Sequence, residues 1–271
     1  MKIKYYGVRG SIAVSGKEFV KYGGNTTCVV IEEANTSVVL DAGTGIRNYG
    51  RDLVKAKGIT GHKVNLIFSH YHWDHVQGVP FFTPAYIKGN EVNIYGETKF
   101  NKSVQDVLKG QMSFINHPVE LSGMASKLSF SEIAAGTDLN IGPFRITFLK
   151  INHPGSNLAF RVESKSGSFI YATDYEHYSV PDNPLINFAK DASILFYDAH
   201  FTPEEYPKYT GWGHSTYDEG IKLAQLCGAK ELHLCHHAPE HSDDDIDGIM
   251  RIAQAKHDKV FAVQEGWEVE I

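Results

Sequence analysis

The sequence predicts an α/β fold in which mixed β-sheets are covered by helices. Three observations carry that prediction. Short apolar runs rich in Val, Ile, Phe and Leu recur along the 271 residues, each bounded by Gly, Asn, Asp or His. Capped helical patterns lie between some of them. Hydrophobic residues make up 42% and charged residues 21%, the composition of a globular chain. A chain this long buries ~75% of its unfolded surface and needs no disulfide staples.

In order, the predicted strands cover residues 26–32, 37–41, 63–69 and 92–95, then 144–151, 157–163, 168–172, 193–197, 231–235 and 259–262. The first half holds several strands in succession. The second half repeats the plan and adds helices at its end. Thr216-Tyr217-Asp218-Glu219 reads as a capping box that opens a helix to Cys227, with Gly228 as its stop. Ser242, followed by Asp243, Asp244 and Asp245, opens a second helix toward His257, and those acids suit a helix N-terminus. No repeat, low-complexity stretch or Pro/Gly/Ser-rich linker divides the chain, so residues 1–271 read as one domain.

Charge and cysteine usage narrow the function. Net charge is −6, with 26 Lys and Arg against 32 Asp and Glu, and no basic cluster is visible. Gripping long nucleic acid by its phosphates calls for a basic excess. No apolar run approaches the ~20 residues of a membrane-spanning helix. The opening Met1-Lys2-Ile3-Lys4-Tyr5-Tyr6 has no secretory-signal pattern. Cys28, Cys227 and Cys235 are odd in number and scattered, which argues against a disulfide framework or zinc ribbon and for a reducing cytoplasm.

The chemistry is concentrated in His70-Tyr71-His72-Trp73-Asp74-His75. It follows the apolar run 64–68, so a buried strand delivers these side chains to its C-terminal end, where α/β sheets place ligands. Three imidazoles and a carboxylate in six residues are a metal-ligand set. His70 and His72 alternate and could face one metal, while Asp74 and His75 lie past the turn and could face a second. The spacing is unlike the helical H-E-x-x-H of thermolysin-type proteases.

This H-x-H-x-D-H pattern after a buried strand resembles the metallo-β-lactamase superfamily of binuclear metal hydrolases, and the resemblance runs from about residue 1 to 241. It implies the αββα sandwich, two mixed sheets face to face with helices outside. It implies that His70, His72 and His153 hold one divalent ion, that Asp74, His75 and His236 hold another, and that Asp174 bridges them. Zinc is the first expectation and manganese the second. Asp41, in Asp41-Ala42-Gly43-Thr44-Gly45, resembles the family's supporting Asp rather than a ligand. His237 and His241 compete with His236 for the last ligand position; His236 is preferred because it directly closes its strand.

Asp174 sets the chain apart from the antibiotic-cleaving branch, and His72 from the di-iron redox branch. Gly213-His214-Ser215-Thr216 resembles the His-Ser-Thr motif of the ribonuclease Z-like branch, whose His donates a proton to the leaving oxygen. Asp198 stands where that branch carries an acid, and could orient His214 and raise its pKa. The implied reaction is hydrolysis of a phosphodiester. Two metals lower the pKa of a water, Asp74 positions it and accepts its proton, and His214 protonates the departing oxygen. The glycine-rich segments 7–11 and 22–27 resemble the same branch; there Arg9 and Asn25 could meet a phosphate, although the glycines also suit a plain turn.

Substrate size follows from spacing. Ribonuclease Z proper clamps tRNA with a long arm between its third His ligand and its bridging Asp. Here His153 and Asp174 are 21 positions apart, and the predicted strands 157–163 and 168–172 fill the gap. A small phosphodiester remains, first of all a cyclic nucleotide. The longest insertion is 76–152, whose aromatic and Met residues at 81–86 and 111–118 could wall a pocket or form core or a dimer contact. Trp212 is a further candidate wall. Relatives of this branch form dimers, so a homodimer is expected. The alternatives are a nuclease on RNA or DNA ends, a non-catalytic metal-bound sensor, and a thioester or lactone hydrolase with the same metal site.

Overall fold

Strands that are apolar at nearly every position must be covered on both faces. The computed structural model, which describes residues 1–271, meets that demand with two seven-stranded sheets packed face to face and helices on both outer faces. The elements run β1 (Lys2–Gly7), β2 (Cys28–Glu33), β3 (Thr36–Leu40), α1 (Ile46–Lys57), β4 (Lys63–Ile67), α2 (Trp73–Val76), β5 (Glu91–Gly96), α3 (Val104–Gln111) and β6 (Lys127–Glu132). There follow β7 (Asp138–Ile141), β8 (Phe144–Ile151), β9 (Asn157–Ser164), β10 (Gly167–Ala172), α4 (Asn183–Phe188), β11 (Ile194–Asp198), α5 (Tyr217–Cys227), β12 (Glu231–Cys235), α6 (Asp243–Lys256), β13 (Val260–Ala262) and β14 (Glu268–Glu270).

The two sheets share one plan. The first has strand order β14-β1-β2-β3-β4-β5-β6, antiparallel as far as β3 and parallel from β3 to β6. The second has order β7-β8-β9-β10-β11-β12-β13, antiparallel to β10 and parallel beyond it. The plan of elements shared by the two halves of the sequence is therefore one sheet each, with β14 crossing from the C-terminus to the first sheet. Strand alternation explains the layering. On β2, Val29 and Ile31 enter the core between the sheets, while Cys28 and Val30 face the outer layer under α1 and α3. On β10, Phe169 and Tyr171 point inward, and Ile170 and Ala172 pack under α4, α5 and α6.

The helix ends follow local chemistry. Thr216 Oγ1 accepts from the Glu219 amide and opens α5; Gly228, left-handed at φ 70°, closes it. The Ser242–Asp245 capping box opens α6. Four strands carry no strong signal. β1 alternates lysines with Ile3 and Tyr5, β6 and β7 sit at sheet edges with largely polar faces, and β14 has three residues. Helix α1 begins at Gly45 without a capping side chain, so nothing announces it. No helix is long and apolar enough to cross a membrane.

Strand direction sets up the site. β3 and β4 of the first sheet and β8, β10, β11 and β12 of the second all end at the same edge of the sandwich. Below that edge Phe160 packs on the inner face of the second sheet, fully buried between Phe148 (5.5 Å, edge-on) and Tyr171 (5.6 Å, stacked). Phe160→Ala is expected to lower unfolding free energy by about 3–5 kcal/mol in denaturant titration. A loss below about 0.5 kcal/mol, as for a surface position, would contradict this core.

Candidate metal centre

Each strand end delivers one donor or one support. Asp41 follows β3, His70 follows β4 across Phe68 and Ser69, His153 follows β8 across Asn152, Asp174 follows β10 across Thr173, Asp198 ends β11 and His236 follows β12. Asp41, Asp174 and His236 sit at φ 60°, 53° and 59°, a left-handed backbone that turns each side chain sharply off its strand. Such conformations cost about 1–3 kcal/mol each and persist where surrounding structure over-determines them.

The donors gather into two groups that share Asp174. His70, His72, His153 and Asp174 form one; Asp74, His75, Asp174 and His236 form the other, with ligand atoms inside each group within 4.8 Å of one another. Asp174 Oδ2 lies 3.1 Å from His75 Nε2 and 3.2 Å from His236 Nε2. Its Oδ1 lies 3.8 Å from both His70 Nε2 and His153 Nε2. A buried carboxylate ringed by imidazoles is a cation's environment rather than a packing core.

The surrounding hydrogen bonds fix which nitrogen each ring offers. The buried Asp41 carboxylate accepts from Ser69 N (2.8 Å), Ser69 Oγ (2.7 Å), Tyr171 OH (2.7 Å) and His75 Nδ1 (2.7 Å). His75 therefore turns its Nε2 lone pair toward the donor group. Ser69 Oγ, committed as a donor to Asp41, accepts from His70 Nδ1 at 3.1 Å and leaves His70 Nε2 free. His153 Nδ1 donates to the Gly213 carbonyl at 2.8 Å. His70 Nε2 and His75 Nε2 are buried with no hydrogen-bond partner. Orphaned imidazole lone pairs held by a second layer of acceptors fit divalent metal ions. Burial holds His70 uncharged, with a pKa well below the usual range, and brings His153 down to about 4. A metal ligand needs that neutral form.

The structure brings Asp198 and His214 to the same centre. His214 Nδ1 lies 2.8 Å from Asp198 Oδ2 and 4.0 Å from Asp174 Oδ1. Burial disfavours charge on His214, but the adjoining Asp198 carboxylate, with Asp174 and Asp74, outweighs it and lifts the pKa to about 9. Asp74 Oδ2 accepts from the Ser11 amide at 2.8 Å and lies 3.1 Å from His236 Nε2.

Other expected residues stand elsewhere. His237 meets the Val263 carbonyl at 3.2 Å and His241 meets Glu205 at 3.0 Å, so neither points at the donor groups. Arg9, expected at a phosphate, is fully buried and donates to the carbonyls of Gly23, Ala238 and His241. Asn25 is held by Glu265 through its amide N (2.5 Å) and Nδ2 (2.8 Å). Both side chains stitch the N-terminal loop to the C-terminal segment, and the plain-turn alternative describes them better. Trp212 is exposed, packed edge-on against Tyr209. In the long insertion, Phe82 and Met112 join the core under the first sheet, while Phe81, Phe114 and Ile115 are exposed.

Sequence reading missed three supports. His200 stacks on His214 at 4.4 Å and bonds the His236 carbonyl through Nδ1 at 2.9 Å. Glu176 accepts from the Gly211 and Gly213 amides at 2.5 and 2.8 Å and so holds the loop before His214. Tyr171 joins Asp41 from the opposite sheet. His200 and Glu176 each lie two residues past a singled-out aspartate, a spacing that was available as a signal; the contact of Tyr171 is purely tertiary. Gly10 is needed for space, since a Cβ there would come within 2.4 Å of His236 Nδ1.

This geometry makes Asp41→Asn a direct probe. An amide cannot accept all four bonds, so divalent-metal affinity should fall about 10–100-fold in chelator competition. Unchanged affinity would show that Asp41 does not orient the donors.

Comparison with known proteins agrees with the geometry. The beta-lactamase superfamily domain matches residues 36–237, a span that holds Asp41 and every donor from His70 to His236. Among curated relatives, the probable metallo-hydrolase YhfI of Bacillus subtilis is 26% identical over 220 residues, 78% of this chain and 79% of that protein. Ribonuclease Z of Streptococcus sanguinis is 23% identical, with 89% of this chain and 92% of that protein aligned. The crystal structure of YhfI superposes with a TM-score of 0.74 at 20% identity, covering 100% of this chain and 98% of that one. A diphosphatase of the PhnP family gives 0.70 at 16% identity, covering 100% and 97%. The chain belongs to the beta-lactamase superfamily and carries the donor set of a metal-dependent hydrolase.

Proposed function

We propose that residues 1–271 form a single-domain, metal-dependent phosphodiesterase that hydrolyses a small phosphodiester, first of all a cyclic nucleotide. The observation that carries the reading is the His214–Asp198 pair standing 4.0 Å from the shared Asp174: a proton donor with its own carboxylate, set beside a double metal-ligand set.

The roles follow from position. His70, His72 and His153 would hold one divalent ion and Asp74, His75 and His236 a second, with Asp174 between them. Zinc or manganese suits these donors and, when bound, would supply Lewis acidity and lower the pKa of a water. Asp74, anchored by the Ser11 amide, orients the attacking water and takes its proton. As the water oxygen bonds to phosphorus, the bond from phosphorus to the sugar oxygen breaks. Asp198 holds His214 Nδ1, so the proton passes from His214 Nε2 to the departing oxygen.

Two features support a small substrate. β9 and β10 form a paired hairpin inside the second sheet, and together they fill the chain between His153 and Asp174, where an RNA-clamping arm would insert. Net charge is −6. A second reading, a nuclease acting on short RNA ends, is favoured by the similarity to ribonuclease Z. Three buried free cysteines suit a reducing cytoplasm, and exposed Phe114 and Ile115 offer apolar surface for a homodimer.

The test is turnover of a panel of 3′,5′- and 2′,3′-cyclic nucleotides by metal-loaded protein, followed by chromatography, with Asp74→Ala as blank. Wild-type turnover is expected. Its absence, with both metals bound, would sink the cyclic-nucleotide reading and bring short oligonucleotide ends forward. His214→Ala should slow turnover by about 10²–10⁴-fold with metal content intact. Loss of metal from that variant would refute its role as proton donor.

A further inference from the structure

A cavity of about 260 Å³ opens beside the first donor group. Its inner end is His70 and His72; its walls are the turn at 99–102 and the facing segment Pro154-Gly155-Ser156. The turn is a two-residue hairpin. The Lys99 amide donates to the Lys102 carbonyl at 3.0 Å, and the Lys102 amide returns a bond to the Lys99 carbonyl at 2.8 Å.

Its two central residues, Phe100 and Asn101, have φ 49° and 60°. Turns of that shape favour Asn-Gly, and a bulky aromatic residue in the first left-handed position is strained. The strain gains no packing: Phe100 is 86% exposed. A ring held in an unfavourable conformation, in solvent, beside a ligand cluster has a folding cost and no folding benefit. The rest of the cavity is largely apolar, with polar groups at its wall. Ser156 Oγ is buried with no hydrogen-bond partner. The Lys99 ammonium fastens the Ser156 carbonyl and fixes that wall. Lys102 is exposed and makes no ion pair.

We propose that Phe100 is a stacking platform for the substrate's nucleobase, with Ser156 Oγ meeting the edge of the base and Lys102 facing the phosphate side. The inference rests on the phosphodiesterase reading, because it puts the scissile phosphate at the donor groups next door. It adds the substrate class, a phosphodiester carrying a planar base, and a specificity residue for it.

Phe100→Ala, Phe100→Gly and Phe100→Trp test it in the full chain, with two readouts. Binding of adenosine 5′-monophosphate is followed by calorimetry, with and without divalent metal. Turnover of a cyclic nucleotide is compared with turnover of glycerol 1,2-cyclic phosphate, which has no base. Base stacking on an aromatic ring predicts about tenfold weaker nucleotide binding in the Ala and Gly variants, and retention in Trp. The ratio of kcat/KM for the cyclic nucleotide over the base-free ester should fall by a similar factor, mainly through KM. The Gly variant should also melt at a higher temperature than wild type, since it relieves the turn. Equal effects on both esters, or unchanged nucleotide binding in all three variants, would overturn the proposal. If wild type hydrolyses neither ester yet its nucleotide binding still depends on Phe100, the phosphodiesterase reading fails and the base site stands.

Discussion

The Asp41 carboxylate is the contact on which the rest of the centre depends. It is fully buried and takes four hydrogen bonds, from Ser69 N, Ser69 Oγ, His75 Nδ1 and Tyr171 OH. Those donors come from the loop after β4, from α2 and from β10 of the other sheet. One charged group thus ties the two sheets together at the edge where the candidate donors emerge. It also selects the tautomer of His75 directly and of His70 through Ser69. A buried carboxylate without such partners would be too costly to keep; with them it becomes the reference point for the donor set.

The second constraint is symmetry of plan. Two copies of the same antiparallel-then-parallel sheet, stacked face to face, place parallel strand ends from both at one edge. Neither sheet alone carries the whole candidate donor set. His70, His72, Asp74 and His75 come from the first, while His153, Asp174 and His236 come from the second. Formation of the centre is therefore coupled to sheet–sheet packing, in which Tyr5 of β1 stacks on Phe196 of β11 at 5.6 Å and continues the stack of Phe196, Tyr171 and Phe160. Left-handed backbone at Asp41, Asp174 and His236 is tolerated because this packing and the hydrogen bonds over-determine it.

How much of this the sequence discloses depends on the range of the interaction. The strands 144–151 and 231–235 are legible to the residue, because apolar runs with turn residues at both ends are local signals. The helices α5 and α6 are legible from their caps. Edge strands β6 and β7 are not, since one side needs no apolar cover. At the centre, the segment from His70 to His75 announces itself by composition, and His153, Asp174 and His236 become legible only in the order given by the family resemblance. Arg9 misled because a buried arginine bonding carbonyls and an arginine bonding phosphate share the same glycine-rich surroundings. Tyr171 acts across the fold on Asp41, and no local pattern marks it.

The most direct test of the account is anomalous diffraction from crystals of the protein loaded with zinc. Two peaks are predicted, one among His70, His72, His153 and Asp174, the other among Asp74, His75, Asp174 and His236. His200, His214 and His236 also lie close enough to hold an ion. A peak there would contradict the role of His214 as a free proton donor, and a single peak that leaves Asp74 and His75 without metal would contradict the two-site arrangement.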